Sequence, residues 1–243
     1  MYTEFATIYD RLMDFDYQSF ILILEKIWKD TSPKTILDMG CGTGNMAFYL
    51  ENKYFVQAFD LSENMLLEAK KKLKRTALFH ASFLNFQIQE SVDVALCMFN
   101  GFNYLSSLDE LNQAIFRVAE NLKKEGYFIF DINTYYALKY RYGNDILSED
   151  IEGIHCIWKN KFFENERKLF SQLNIYFSEK NQNRHICEKQ VQTLFYVSEI
   201  FRLLEQNHLR VLGLMDLETG KKPKKNCSRL MFICQKIRNR AES

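Results

Sequence analysis

The chain has 243 residues, with 32 lysines and arginines against 31 aspartates and glutamates, so its formal net charge is +1. Hydrophobic residues make up 47% and charged residues 26% of the sequence, which is enough apolar surface for a folded core and excludes a disordered chain. The even charge balance offers no electrostatic reason to expect nucleic acid or an anionic membrane as the main partner. The length fits one domain with a modest insertion.

No segment has the pattern of a membrane anchor, an export signal or a metal site. The longest apolar run near the N-terminus, residues 20–24, is far shorter than the roughly 18 residues of a spanning helix, and residues 1–4 lack the basic start of a signal peptide. The six cysteines form no C-x-x-C pair, and the four histidines show no metal-ligand spacing. We therefore expect a cytoplasmic protein with reduced thiols and no metal.

Strand and helix patterns alternate through the first 132 residues, beginning with a helix predicted at residues 17–30. Five short strands follow, expected at residues 34–39, 54–60, 77–80, 92–98 and 127–132. Helices are expected between them, at residues 45–51, from residue 62 onward, and at residues 108–121. Strands that alternate with crossover helices predict a parallel sheet covered on both faces.

The pattern changes after residue 133. Extended stretches separated by polar turns, one of them at residues 180–183, predict an antiparallel meander; the stretches are residues 154–163, 167–178 and 184–196. A helix at 197–207 and strands near 210–216 and 229–235 follow. The expected fold is α/β, a doubly wound seven-stranded and mostly parallel sheet with a small antiparallel lid. Residues 1–132 and 197–243 would form the main domain, and residues 133–196 the inserted lid over the substrate.

The strongest chemical signal is a glycine-rich turn, D-M-G-C-G-T-G-N at residues 38–45, where the first strand ends. Ligands of open α/β sheets bind at the carboxyl ends of strands. Gly40, Gly42 and Gly44 let the backbone approach a ligand where a Cβ would collide, and the helix start that follows offers free N–H groups. At the end of the second strand, Asp60 can accept both hydroxyl hydrogens of a ribose.

Two ligands compete for this pattern, a dinucleotide and a nucleoside without phosphate. The dinucleotide fingerprint G-x-G-x-x-G needs a third glycine where this chain has Asn45. Asp38 at the mouth of the turn would repel a pyrophosphate, whereas it suits a ligand with an ammonium and a sulfonium, such as S-adenosylmethionine. The pattern favours the second ligand and leaves the first open.

The stretches L-D-M-G-C-G-T-G-N (residues 37–45) and A-F-D-L-S-E-N-M-L (58–66) resemble motifs I and II of class I S-adenosylmethionine-dependent methyltransferases. The opening F-A-T-I-Y-D-R-L-M and the later G-Y-F-I-F-D-I-N-T-Y-Y are similar to a bacterial small-molecule branch of that family. The layout of the insertion is similar to the lid of amino-sugar N,N-dimethyltransferases. The resemblance implies S-adenosylmethionine as cofactor and methylation of a nitrogen or oxygen of a small-molecule acceptor.

The resemblance also implies which residues of the glycine turn bind the cofactor. Gly40, Cys41, Gly42 and Gly44 would contact the methionine part, and Asp38 would lie near its ammonium. The methionine end is therefore expected to rest on the turn itself.

Further cofactor contacts are implied beyond the turn. Asp60 would hold the ribose, while Leu61 and Met65 would flank the adenine. Ser82 stands where motif III usually offers an acidic residue to the adenine amino group, and Phe83 would supply its backbone N–H.

Tyr9, in the N-terminal element, would close over the methionine end of the cofactor, although the same residue also suits the core face of an amphipathic helix. Cys97, at the end of the fourth strand, completes the set of implied cofactor-binding residues.

No catalytic motif is obligatory, because in-line methyl displacement mainly requires a close, aligned acceptor and the exclusion of water. Asn100 and Tyr104, after the fourth strand, are candidates for orienting the acceptor, and Tyr104 or His155 of the lid for taking a proton. The chain lacks the Asn/Asp-Pro-Pro-aromatic motif of enzymes that act on nucleobase amines or protein amides. A small molecule is therefore the expected acceptor, without nucleic acid or membrane.

Two other functions stay open at this level. A nicotinamide-dependent oxidoreductase would use the same kind of glycine turn, and an inactive cofactor-binding subunit would support a partner protein. The aromatic residues of the lid also permit a homodimer contact.

Overall fold

The structure, a computed structural model, describes residues 5–13, 15–179 and 182–237. Within these ranges it contains six α-helices: α1 Ala6–Leu12, α2 Tyr17–Trp28, α3 Asn45–Leu50, α4 Glu63–Lys72, α5 Leu108–Asn121 and α6 Val197–Gln206. A short 3₁₀ turn spans Gly101–Tyr104 and a π-helical turn spans Ala137–Arg141. The sequence-based interpretation of residues 1–4, and half of the turn predicted at 180–183, lie outside the described residues.

Eleven strands are present in the same ranges. The first five are β1 Thr35–Met39, β2 Phe55–Asp60, β3 Ala77–His80, β4 Val92–Cys97 and β5 Leu122–Asn133. The next four are β6 Ile146–Ile151, β7 Ile154–Phe163, β8 Lys168–Glu179 and β9 Gln182–Thr193. The last two are β10 Leu209–Asp216 and β11 Arg229–Lys236.

Seven strands form the main sheet, in the order β10-β11-β5-β4-β1-β2-β3. The pairs among β1 to β5 are parallel, whereas β11 runs antiparallel to both β5 and β10. This arrangement confirms the predicted doubly wound, mostly parallel sheet closed by an antiparallel edge hairpin. The side chains of the central strands β1 and β4 are buried in almost continuous runs, as expected for parallel strands that are covered on both faces.

The amphipathic pattern of α5 shows how the helices cover this sheet. Ser107 caps its first turn by accepting a hydrogen bond from the Glu110 N–H at 3.2 Å. Leu111, Ile115 and Val118, at helical spacing, are completely buried against the sheet. On the neighbouring strands, the rings of Phe130 and Phe232 stack 4.9 Å apart, so the core continues to the antiparallel edge.

The second sheet has four antiparallel strands in the order β6-β7-β8-β9, and it lies within the range predicted for the lid. Its strand β6 was not predicted, because most of its residues are exposed and show no apolar alternation. One face packs on α1: Ile8 shares a buried cluster with Ile154, Leu173 and Ile175. Helix α1 therefore joins the lid to the main domain.

Candidate cofactor and acceptor site

A cavity of about 580 Å³ lies beyond the carboxyl ends of β1 to β4, within the size range of small-molecule sites. Helix α1 and the first residue of α2 contribute to its wall, as does Arg229 of β11. We call residues 38–45 with the ends of β2 and β3 the glycine-turn side of the cavity. We call the 3₁₀ turn Gly101–Tyr104 with Trp158, Leu173 and Gln190 the lid side.

The three glycines of the turn have positive φ angles, 68° for Gly40, 55° for Gly42 and 80° for Gly44, which other residues rarely adopt. A Cβ on Gly44 would come within 2.7 Å of the Leu73 side chain, so this glycine is needed for helix packing. A Cβ on Gly42 would meet no protein atom within 4 Å. The backbone at Gly42 thus lines open space that a ligand can fill.

Asp60 is held in place by two backbone donors at the end of β2. The Gly42 N–H donates to Oδ2 and the Ser62 N–H donates to Oδ1, each at 2.8 Å. Burial raises the pKa of Asp60, while these hydrogen bonds oppose the rise. Each carboxylate oxygen keeps further acceptor capacity, so Asp60 can accept a pair of hydroxyl groups from the cavity.

Asp38 is buried beside the same turn, with 3% of its surface exposed. Its Oδ2 has no hydrogen-bond partner among the described residues. Burial, and then the charge of Asp60, raises the pKa of Asp38 to about 7. A buried carboxylate oxygen without a partner is costly, and a cationic group in the cavity would satisfy Oδ2. S-adenosylmethionine, which carries an ammonium, therefore fits the residues present.

The adenine-binding residues implied by the resemblance also meet at the cavity. Leu61 is 63% exposed, whereas Met65 is buried beneath the cavity wall. The Ser82 hydroxyl donates to Asn85 Oδ1 at 2.9 Å and accepts from the Leu84 N–H at 3.2 Å. One acceptor position on the Ser82 oxygen remains for a ligand.

Helix α1 is fastened to the glycine turn by Asp10, a contact that sequence reasoning missed. Its carboxylate accepts hydrogen bonds from Thr43 Oγ1 at 2.6 Å, from Asn45 Nδ2 at 2.9 Å and from Lys72 Nζ at 2.6 Å. Burial alone would raise the pKa of Asp10, but these three donors outweigh it and lower the pKa. The network fixes α1 against the turn, and Tyr9, the residue before Asp10, lines the cavity.

On the lid side, the Tyr104 hydroxyl donates to Gln190 Oε1 at 3.0 Å. Gln190 belongs to β9, so this bond ties the lid to the main domain. Asn100 also lines the cavity, and its backbone N–H donates to Asp131 Oδ2 at 3.1 Å. No local pattern connects Tyr104 with Gln190, because they lie 86 residues apart.

Most of the predicted site residues therefore line this cavity: Tyr9, Asp38, Gly40, Cys41, Gly42, Asp60, Leu61, Met65, Ser82, Phe83, Asn100 and Tyr104.

Three of the predicted residues are not brought to the cavity. His155 lies on β7 next to the β6–β7 turn, outside the cavity lining, with its side chain 41% exposed and Nδ1 at 2.9 Å from Asp150 Oδ1. Cys97 is completely buried inside β4, and burial raises the pKa of its thiol well above the ordinary value. Gly44 packs against Leu73 instead of facing the open space.

In the described ranges, no group of three or more His, Cys, Asp or Glu side chains is arranged to hold a metal ion. No helix within those ranges has the length and apolar composition needed to cross a membrane.

Comparison with known proteins finds a matching family profile and relatives that are named as methyltransferases. A family profile described as a methyltransferase domain matches residues 36–126, which include the glycine turn and Asp60. A protein of Geobacillus sp. (strain WCH70) named as a methyltransferase is 28% identical over 246 residues, covering 97% of this chain and 99% of the relative. A dTDP-3-amino-3,4,6-trideoxy-alpha-D-glucopyranose N,N-dimethyltransferase of Streptomyces venezuelae is 29% identical over 98 residues, 40% of this chain and 41% of the relative.

A solved structure extends the likeness to the lid. The crystal structure of an S-adenosylmethionine-dependent methyltransferase from Clostridium acetobutylicum ATCC 824 has a TM-score of 0.88 and 29% identity to this chain. The match covers 98% of this chain and 99% of that one. The sequence motifs, the carboxylate-lined cavity and these relatives agree. The chain is an S-adenosylmethionine-dependent methyltransferase with the class I, Rossmann-like fold.

Proposed function

We propose that this methyltransferase transfers the methyl group to a nitrogen or oxygen of a small molecule. The observation that supports this most is one cavity that joins the glycine-turn side to polar groups under the lid. The cavity volume of about 580 Å³ is within the range of small-molecule sites. One of the relatives is named as an N,N-dimethyltransferase of a dTDP-amino sugar, a small molecule.

We propose that Asp38 pairs with the ammonium of the cofactor and Asp60 accepts the ribose hydroxyls. Asp38 is buried with a free oxygen, and Asp60 is oriented by two backbone donors. The open space beside Gly42 would take the methionine chain.

The adenine would lie between Leu61 and Met65, near Ser82 and the backbone of Phe83. Leu61 offers a large exposed apolar surface at the cavity, which a flat aromatic ring would cover on binding.

When bound, S-adenosylmethionine supplies a methyl group activated by its positively charged sulfur. The side chains have to hold the acceptor in line and exclude water. Tyr104 and Asn100 are placed to orient the acceptor, and Gln190 fixes the Tyr104 hydroxyl. We propose Tyr104 as the group that passes a proton when the acceptor loses one, and assign no such part to His155.

We further propose that the enzyme is cytoplasmic, that it does not act on nucleic acid and that it forms a homodimer. The balanced net charge of +1 supports an acceptor other than nucleic acid, and the free cysteines support a cytoplasmic location. A homodimer through the lid is supported by exposed apolar side chains of that sheet, such as Ile146 and Phe170. Gel filtration with light scattering tests the dimer.

Calorimetric titration with S-adenosylhomocysteine tests the proposed cofactor site. The wild type should bind at micromolar concentration, and Asp60→Ala should remove measurable binding. Asp30→Ala is the matched control, because Asp30 is exposed and remote from the cavity. Undetectable binding to the wild type, or NADH binding in its place, would refute the proposal.

A further inference from the structure

Arg229 is a basic residue at the start of β11 that neither the motifs nor the proposed function uses. The cavity is lined by three carboxylates, those of Asp38, Asp60 and Glu110. Arg229 is the one lysine or arginine among its described lining residues. A single basic residue among acidic ones suggests that the cavity binds a ligand with a negatively charged group as well as a positively charged one.

The guanidinium of Arg229 is fixed by a buried partner. Nε and Nη2 both donate to Asp131 Oδ2, at 3.1 and 2.8 Å, and Asp131 is completely buried. The guanidinium also lies over the ring of Phe99, with Cζ 5.3 Å from its centroid. The orientation of the cation is therefore set before a ligand arrives.

This arrangement leaves donors of Arg229 available. A pair that served only to neutralise Asp131 would be expected to use both carboxylate oxygens in a bidentate contact. Here both bonds go to Oδ2, and Oδ1 has no partner among the described residues. In the same ranges, Nη1 has no acceptor within hydrogen-bond distance, and the side chain is 21% exposed at the cavity.

The guanidinium lies at the end of β4, where it contacts the ring of Phe99. Its partner Asp131 also accepts the N–H of Asn100, which places the pair just beyond the end of β4. Strand β4 is the neighbour of β1, with Leu96 in register with Asp38. Tyr17, Asp38 and Arg229 line the same cavity. Burial raises the pKa of Tyr17 most, the hydrogen bond with Asn45 lowers it, Asp10 and Asp38 raise it further, and Arg229 lowers it.

The cofactor itself carries an anion at this point. The ammonium and the carboxylate of its methionine part are bonded to the same carbon atom, so a group that binds the carboxylate must lie beside the group that binds the ammonium. We infer that Arg229, oriented by Asp131, binds the methionine carboxylate of S-adenosylmethionine while Asp38 binds the ammonium. This inference rests on the proposed cofactor site and adds a residue to it.

Two ligands that differ only in the carboxylate test the inference. S-adenosylhomocysteine has both charged groups, whereas 5′-S-(3-aminopropyl)-5′-thioadenosine keeps the ammonium and lacks the carboxylate. For the wild type, loss of the carboxylate should weaken binding about tenfold to a hundredfold, the usual effect of a charged hydrogen bond. In Arg229→Gln the two dissociation constants should become nearly equal, because only S-adenosylhomocysteine loses a partner.

The variants are chosen so that misfolding does not decide the result. Arg229→Gln leaves Asp131 buried without its cation, so the double variant Arg229→Gln/Asp131→Asn removes both charges and should give the same ratio of constants. Arg229→Lys should restore part of the difference between the ligands. Arg210→Gln, on β10 and away from the cavity, should keep the wild-type ratio. Thermal unfolding monitors the fold of each variant.

An unchanged ratio of the two constants in both Arg229→Gln backgrounds would overturn the inference, as would an equal loss of affinity for both ligands. In either case the proposed cofactor site would stand, since the wild type still binds S-adenosylhomocysteine. A wild type that binds neither ligand would remove the cofactor site and this inference together.

Discussion

The two sides of the cavity are built in different ways. The glycine-turn side consists of one short stretch, residues 38–45, with the neighbouring ends of β2 and β3. It presents backbone and a few carboxylates to the ligand. The lid side brings together Tyr104, Trp158 and Gln190, which come from separate parts of the chain. The glycine-turn side is therefore built almost entirely from one local stretch of sequence, whereas the lid side depends on how the second sheet packs on the main sheet. Under the proposed function, the first side holds the cofactor and the second the acceptor.

The largest changes in ligand affinity and in stability are expected for alanine substitutions of Gly42 and Gly44, which should have different consequences. In Gly42→Ala the new Cβ enters the open space, so we expect S-adenosylhomocysteine to bind about tenfold to a hundredfold more weakly. In Gly44→Ala the Cβ meets Leu73 at 2.7 Å, so the thermal midpoint should fall further than in Gly42→Ala. Both glycines have positive φ angles, so the backbone strain caused by alanine should be similar at the two positions. Calorimetry measures the affinity of each variant, and thermal unfolding measures its stability. Equal losses of affinity and stability would show that the turn is only a packing element.

The next effect concerns the pH dependence of cofactor binding. Asp38, with a pKa of about 7 in the free protein, must lose its proton to pair with the ammonium. Affinity for S-adenosylhomocysteine should therefore rise about tenfold per pH unit below 7 and level off above it. In Asp38→Asn this dependence should vanish and binding should be weaker. A flat profile for the wild type in calorimetry would place the ammonium elsewhere.

The raised pKa of Asp38 also makes the free energy of unfolding depend on pH. Because burial raises the pKa of Asp38, the native state holds a proton that the unfolded state has lost between about pH 4 and 7. Its contribution to the free energy of unfolding therefore decreases as the pH rises through that range. Denaturant unfolding of the wild type and of Asp38→Asn at several pH values measures this pH dependence, which should be present in the wild type alone. It should disappear from the wild type when S-adenosylhomocysteine is saturating, because the bound ligand keeps Asp38 ionised.

A smaller effect is expected where α1 meets the glycine turn. Asp10→Ala removes the bonds to Thr43, Asn45 and Lys72, so affinity for S-adenosylhomocysteine should fall about fivefold. The pKa of Asp10 is lowered, so its stabilising effect is present above its unfolded pKa and lost as pH falls through the native one.

The matched control is Glu68→Ala, which breaks an ion pair with Lys71 within α4 and leaves α1 untouched. It should keep wild-type affinity in the same titration. If both variants bind alike, α1 does not need Asp10 to cover the cofactor.

The smallest effect is expected for His155, which lies on β7 next to the β6–β7 turn. His155→Ala should bind S-adenosylhomocysteine within about twofold of the wild type, because substitutions of partly exposed residues away from a site are nearly neutral. A tenfold change in the dissociation constant would bring this part of the lid into the site and remove the contrast between the two sides.

The sequence by itself determined the mostly parallel sheet, the glycine turn at its carboxyl edge and the place of Asp60 at the end of the second strand. Each depends on contacts between near neighbours: strand periodicity, glycines at alternate positions, and a carboxylate at the end of the adjacent strand. The antiparallel second sheet was also foreseen from its alternating strands, although β6, with mostly exposed residues, was not. The ribose contact of Asp60 and the bounds of the lid as a domain stay predictions.

Only the tertiary structure decided which distant side chains meet at the cavity. Asp10 with Lys72, Tyr104 with Gln190, and Arg229 with Asp131 are 62, 86 and 98 residues apart. Such pairs leave no periodic or spacing signal in one sequence, because their contact depends on where whole elements pack. A strand pattern likewise does not reveal which lid residues face the cavity, and His155 is not among the residues that line it.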